Sequence, residues 1–135
     1  MNLFQDSQST VGNGWNKDNW ETPDHLAELM AEEAVRRFPD GCFLEPAAGR
    51  GQIAKFLPFV SFALEIDPAR RAVGEANAPH CIWQSGDFFR HLSGPFDCII
   101  TNPPFSQWEA FIAHAVTLLR DGGCIIALLP TQRLQ

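Results

Sequence analysis

The run Asp97-Cys98-Ile99-Ile100-Thr101-Asn102-Pro103-Pro104-Phe105 carries the residues best suited to chemistry. An apolar strand meets two consecutive prolines, which fix φ and remove two backbone donors, so the strand must end there. The Asn102 side chain and the carbonyls beside Pro103 and Pro104 then stand at the strand's carboxyl end, where ligands bind in open α/β sheets. An amide oxygen and a nearby carbonyl can together hold an amino group through its two hydrogens. Phe105, just beyond, offers a flat face for a planar ring.

A second set of residues sits earlier, in Glu45-Pro46-Ala47-Ala48-Gly49-Arg50-Gly51. Gly49 and Gly51 permit a tight turn and let a ligand lie against bare backbone. The full Gly-x-Gly-x-x-Gly of dinucleotide binders is absent, because position 54 is Ala and the glycines fall early. Some ~20 residues after the turn, an acid at a strand tip can accept hydrogen bonds from both hydroxyls of a ribose. Ala63-Leu64-Glu65-Ile66-Asp67-Pro68 supplies two acids there. Glu65 is the better placed; Ile66 points the other way and Asp67 suits the cap of the next helix. Asp87, in Gly86-Asp87-Phe88-Phe89, follows a third strand and can cap the short helix after it.

The elements that must position these residues alternate along the chain. A helix is expected from Thr22-Pro23, with Thr22 as N-cap, Pro23 at the first helical position and Asp24 complementing the dipole. Strands are predicted over 42–45, 60–66, 81–84, 96–101 and 124–129, and helices over 52–57, 67–77 and 106–119, the last stopped by Asp121-Gly122-Gly123. This βαβ alternation implies a Rossmann-like α/β domain with a mainly parallel sheet and right-handed crossovers.

Composition bounds the rest. The chain has 135 residues, 45% of them hydrophobic, enough for one domain over 20–135 with a real core. Residues 1–19 are polar and read as a flexible or loosely docked arm, with Trp15 and Trp20 as anchors. No apolar run is long enough to span a bilayer and no signal-peptide pattern opens the chain, so a cytoplasmic location is expected. A net charge of −6 argues against a broad basic face. Arg36-Arg37, Arg70-Arg71, Arg50 and Arg90 are expected on solvated helix faces and termini. Cys42, Cys81, Cys98 and Cys124 are far apart, as are the four histidines, so a metal site or disulfide framework is not expected. No serine stands in a nucleophile-elbow context.

Taken together, these motifs resemble those of the S-adenosylmethionine-dependent amino-methyltransferases, over about residues 20–129. That family includes adenine-N6 DNA, guanine-N2 ribosomal RNA and glutamine-N5 protein methyltransferases. Asn102-Pro103-Pro104-Phe105 looks like the catalytic motif, and the segment 44–51 looks most like the glycine-rich turn of the adenine-N6 DNA enzymes. The resemblance implies S-adenosylmethionine rather than NAD, bound by Glu45, Pro46, Ala47, Gly49 and Gly51. It also implies that Glu65 takes the ribose, Ile66 packs on the adenine, and Asp87 beside Phe88 accepts from the adenine amino group. Thr22, matching a Thr-Pro segment of the family, would help hold the cofactor's carboxylate. Asn102 and the Pro103 carbonyl would accept the two hydrogens of the amine, with the base stacked on Phe105.

The implied activity is methylation of an exocyclic amino group, adenine N6 in DNA first and guanine N2 in ribosomal RNA second. A cofactor-binding module without turnover is the non-enzymatic alternative. A protein glutamine is disfavoured because those enzymes usually carry Tyr after the prolines. Family sheets continue past the fifth strand, so this class I methyltransferase fold is expected to lack its last strands, as a chain cut short at its carboxyl end would. The exposed apolar fifth strand is then expected to pair with a second copy or a partner subunit.

Overall fold

Five short apolar segments become strands: β1 (Phe43–Glu45), β2 (Phe62–Glu65), β3 (Ile82–Ser85), β4 (Phe96–Thr101) and β5 (Leu119–Ala127). In this computed structural model, which describes residues 20–91 and 93–130, they form one parallel sheet in the order β3-β2-β1-β4-β5. Helices α1 (Asp24–Arg37), α2 (Pro68–Asn77) and α3 (Trp108–Val116) cover it. The arm assigned to 1–19, with Trp15, lies outside the described residues.

Side-chain alternation divides the sheet into two apolar faces. Phe43, Cys98 and Ile100 turn to one face and pack with Ala27, Met30, Ala31 and Ala34 of α1. The small side chains of α1 let the helix lie close on the sheet. Leu44, Leu64 and Ile99 turn to the other face, against Phe111 and Ala115 of α3 and Leu118 after it. On the α1 side, α2 is set by Trp83, whose ring crosses Gly74 and whose Nε1 donates to the Ala78 carbonyl at 2.9 Å. Cys81 and Cys98 are buried, Cys42 and Cys124 half-buried, and all four are free thiols.

Several boundaries differ from the sequence expectation, each for a local reason. Pro23, not Thr22, occupies the N-cap of α1, without a side-chain cap. The helix expected over 52–57 is a single 3-10 turn, Ala54–Phe56. Leu57 precedes Pro58 and is held extended, at ψ 156°, which ends the turn. Asp121-Gly122-Gly123 does not end a helix; α3 stops at Val116 and these residues lie within β5. A β-carbon at Gly123 would come within 2.8 Å of the Asp97 carbonyl, so glycine here lets β5 press against β4 across a register shift. Beyond the shift, Cys98 pairs with Cys124 and Ile99 with Ile125. Among the described residues β5 pairs with β4 alone, leaving its outer edge without a strand partner.

Candidate active site

The chain winds from β1 to β2 to β3 on one side, then returns to place β4 on the other side of β1. The chain therefore leaves the carboxyl ends of the neighbouring strands β1 and β4 in opposite directions, making a topological switch point, the place where such sheets bind ligands. A cavity of about 290 Å³ opens there. Of the residues singled out from sequence, Thr22, Glu45, Pro46, Ala47, Gly49, Glu65, Ile66, Asp87, Phe88, Asn102 and Pro104 line it.

The glycine turn is pinned to the tip of β2. Gly49 has φ +57°, a left-handed conformation that favours glycine. Its N–H donates to Glu65 Oε1 at 2.7 Å, and the Ala48 N–H donates to the Leu64 carbonyl at 3.0 Å. Glu65 Oε2 accepts from the Asp67 N–H at 2.9 Å. Asp67 caps α2 as expected, accepting from the Ala69 N–H. Each oxygen of Glu65 keeps a further lone pair for a ligand hydroxyl. Ile66 beside it is 65% exposed, an open apolar rim.

Glu45, at the tip of β1, is fully buried and accepts from the Ala47 N–H at 2.9 Å. Burial pushes its carboxyl up to about 8; the Ala47 N–H and the Thr101 hydroxyl pull the other way, nearby Glu65 adds to the rise, and Arg70 opposes it. Asp87 caps the 3-10 turn Phe88–Arg90 by accepting from the Phe89 N–H at 3.0 Å. That turn is anchored by its aromatics: Phe88 and Phe89 lie 5.0 and 5.1 Å from the Phe111 ring of α3.

At the end of β4, Asn102 Nδ2 donates to the Trp20 carbonyl at 3.0 Å and to Thr22 Oγ1 at 3.1 Å. Asn102 Oδ1 is buried and, among the described residues, accepts no hydrogen bond. The Thr22 hydroxyl thus serves Asn102, not the helix that follows it.

Three residues singled out from sequence stand back from the cavity. Gly51 packs on α2, where an added β-carbon would lie 3.3 Å from the Gly74 carbonyl. Pro103 is fully buried. Phe105, only 5% exposed, packs against Trp20 at a centroid distance of 6.4 Å, with Leu128 beside them. Its ring offers no free face to the cavity in this conformation, because Trp20 covers it.

No protein-family model matches the chain, and no curated protein matches it by sequence. Solved structures do match. TrmN from Thermus thermophilus superposes with a TM-score of 0.69 at 24% identity, covering 82% of this chain and 39% of its own. The ribosomal protein L11 methylase from Lactobacillus delbrueckii gives 0.67 at 18%, covering 82% of this chain and 64% of its own. An RNA methyltransferase from Salinibacter ruber, solved with S-adenosyl-L-homocysteine, gives 0.70 at 17%, covering 86% and 82%. The fold is that of the class I methyltransferases. This chain spans less than two thirds of the first two of these proteins.

Within that methyltransferase fold, the cavity has walls that sequence reasoning did not assign: Trp20, Gln52, Ile53, Arg70, Phe89, Gln107 and Phe111. Arg70 is the clearest omission. Expected on a solvated face, it instead reaches back over Gly49 and brings Nη1 to 4.0 Å from Glu65 Oε2. Its position in the first turn of α2 was the available signal, since side chains in a helix tilt toward its N-terminus. The cavity lining thus includes three carboxyl groups and one guanidinium, with an unpaired amide oxygen buried at the end of β4.

Proposed function

We propose that this domain binds S-adenosylmethionine and methylates an exocyclic amino group of a nucleobase, adenine N6 in DNA first. The observation that carries the reading is the buried Oδ1 of Asn102, unpaired among the described residues, on a side chain that belongs to the cavity lining. A buried polar atom without a partner is costly unless a ligand supplies one. An N–H donor supplies it here.

The donor set of the cavity fits the cofactor. Glu45, Glu65 and Asp87 offer carboxyl oxygens to a ligand that carries a sulfonium and an ammonium cation, a ribose diol and an adenine amino group. Ile66 offers the apolar rim on which an adenine ring packs. When bound, S-adenosylmethionine supplies an electrophilic methyl carbon whose bond to sulfur breaks with the electron pair leaving on sulfur.

The chain's own contribution is positioning and polarity. A nucleobase amino group is a poor nucleophile because its lone pair is delocalised into the ring. Asn102 Oδ1 accepts one of its hydrogens, and the Pro103 carbonyl, buried behind the cavity in this structure, would have to be uncovered to accept the other; the two together favour a pyramidal nitrogen with a localised lone pair. No strong general base is required; orientation and fixed dipoles carry the rate. After transfer the cationic nitrogen gives one proton to solvent water, and its lone pair returns to the ring. A base in duplex DNA must leave the stack to reach this cavity.

DNA adenine leads because Leu44-Glu45-Pro46-Ala47-Ala48-Gly49-Arg50-Gly51 most resembles the adenine-N6 DNA enzymes. Guanine N2 in RNA is the second reading, supported by the structural match to an RNA methyltransferase. Labelled methyl transfer to DNA, RNA and protein, run in parallel, tests the assignment. We also infer that the open edge of β5 pairs with a second copy or a partner subunit. Light scattering over a concentration series is expected to show self-association, and a monomer at high concentration with no captured partner would refute it.

A further inference from the structure

We infer that Thr22 is a positioning residue for the acceptor site: together with the Trp20 carbonyl it holds both amide hydrogens of Asn102 and so fixes Oδ1 as the end left without a partner. This rests on the reading above and adds to it a residue that never touches the reacting atoms through this contact.

An asparagine amide has two nearly isosteric ends with opposite hydrogen-bonding character. Rotated by half a turn, Asn102 would present N–H groups to an incoming amine, donor against donor. Something must choose the end. The Trp20 carbonyl can only accept, so the atom 3.0 Å away must be Nδ2. Thr22 Oγ1 takes the second amide hydrogen at 3.1 Å. With both hydrogens used, Oδ1 is left as a pure acceptor, buried and unpaired.

The lock is built from residues 80 and 82 positions away in the chain. Thr22 is 4% exposed, and its side chain makes no cap to α1, so helix capping does not account for it. Trp20 is held in turn by Phe105, its ring tilted 32° against the indole. Phe105 therefore acts through Trp20, on the geometry of the amide three residues before it. A locked acceptor also selects substrates: it favours an atom bearing N–H and opposes a ring nitrogen or carbonyl oxygen.

Thr22→Val and Thr22→Ser separate this role from a structural one. Valine keeps the shape and loses the acceptor; serine keeps the oxygen. The Asn102 side-chain amide signals, assigned by their disappearance in Asn102→Asp, should show slow hydrogen exchange in wild type and in Thr22→Ser. In Thr22→Val exchange should quicken at least about tenfold, in proportion to the lost protection. With saturating cofactor, methyl transfer by Thr22→Val should fall about 10- to 100-fold, as expected for a displaced reacting group, while affinity for S-adenosylhomocysteine stays within about twofold. An Asn102 amide that exchanges freely in wild type would overturn the proposal. So would a Thr22→Val protein that loses cofactor affinity but transfers normally at saturation, which would give Thr22 to the cofactor instead. If no amino acceptor is ever methylated, the function falls, and the exchange measurement still decides whether the lock exists.

Discussion

Along the wall proposed for the cofactor, Glu45, Glu65 and Asp87 each accept a backbone N–H from their own turn or a neighbouring one. At the end of β4, Asn102 does the reverse: its donors are tied down and its buried acceptor is left unpaired among the described residues. The first arrangement shapes loops whether or not a ligand is present. The second leaves one polar atom waiting for a partner. Substitutions on that wall should therefore disturb folding and cofactor binding together, whereas substitution at Asn102 should disturb turnover far more than cofactor binding.

The largest effect is expected at Asn102. Asn102→Ala should lower methyl transfer by about 10²–10³, the usual loss for one preorganised group at the reacting centre. Calorimetry with S-adenosylhomocysteine should find affinity almost unchanged. An equal loss of affinity would erase the distinction between the two ends.

Phe105→Ala comes next. Removing a buried ring of this size costs about 3–5 kcal/mol in stability. Denaturant unfolding should show that loss, and transfer should fall with it because Trp20 is freed. A stable variant that merely binds its acceptor less well would return Phe105 to a stacking role.

Glu65→Ala removes the partner of the Gly49 and Asp67 N–H groups. Leaving such groups unpaired costs about 1–3 kcal/mol. Cofactor affinity and thermal stability should fall together. Affinity lost with full stability would show that Glu65 serves the ligand only.

The smallest effect is a pH slope. Glu45 titrates at about 8 in the fold, against 4.5 ordinarily, because burial disfavours its charge. The folded state thus binds this proton more tightly than the unfolded chain does. Its stabilising contribution is complete below pH 4.5 and is lost as pH rises through about 8. Glu45→Gln should remove that part of the decline, measured by unfolding at several pH values. A cationic ligand favours the ionised carboxyl, so cofactor binding should release a proton and tighten with pH up to about 8. Titrations in buffers of different ionisation enthalpy would detect the proton, and an unchanged enthalpy would contradict it.

The parts of this site visible in sequence are those fixed by neighbours in the chain. Two prolines after an apolar run end β4, and glycines after a short strand make a turn, whatever the rest does. Asp67 and Asp87 cap the helices that begin beside them. The parts that were not visible depend on distant contacts. Thr22 reads as an N-cap until Asn102 arrives from 80 residues away. Phe105 reads as an open platform until Trp20 covers it. Asp121-Gly122-Gly123 reads as a stop until β4 accepts it as part of a bulged strand. Arg70 lay between the two cases, since its place at the start of α2 already aimed it at the glycine turn.

The most direct test of the account is nucleoside mass spectrometry of DNA incubated with this protein and S-adenosylmethionine. N6-methyladenine should appear with wild type and be lost with Asn102→Ala. Methylated guanine in RNA beside unmodified DNA would establish the second reading. Failure to bind S-adenosylmethionine or S-adenosylhomocysteine, with no methyl group on DNA or RNA, would contradict the account.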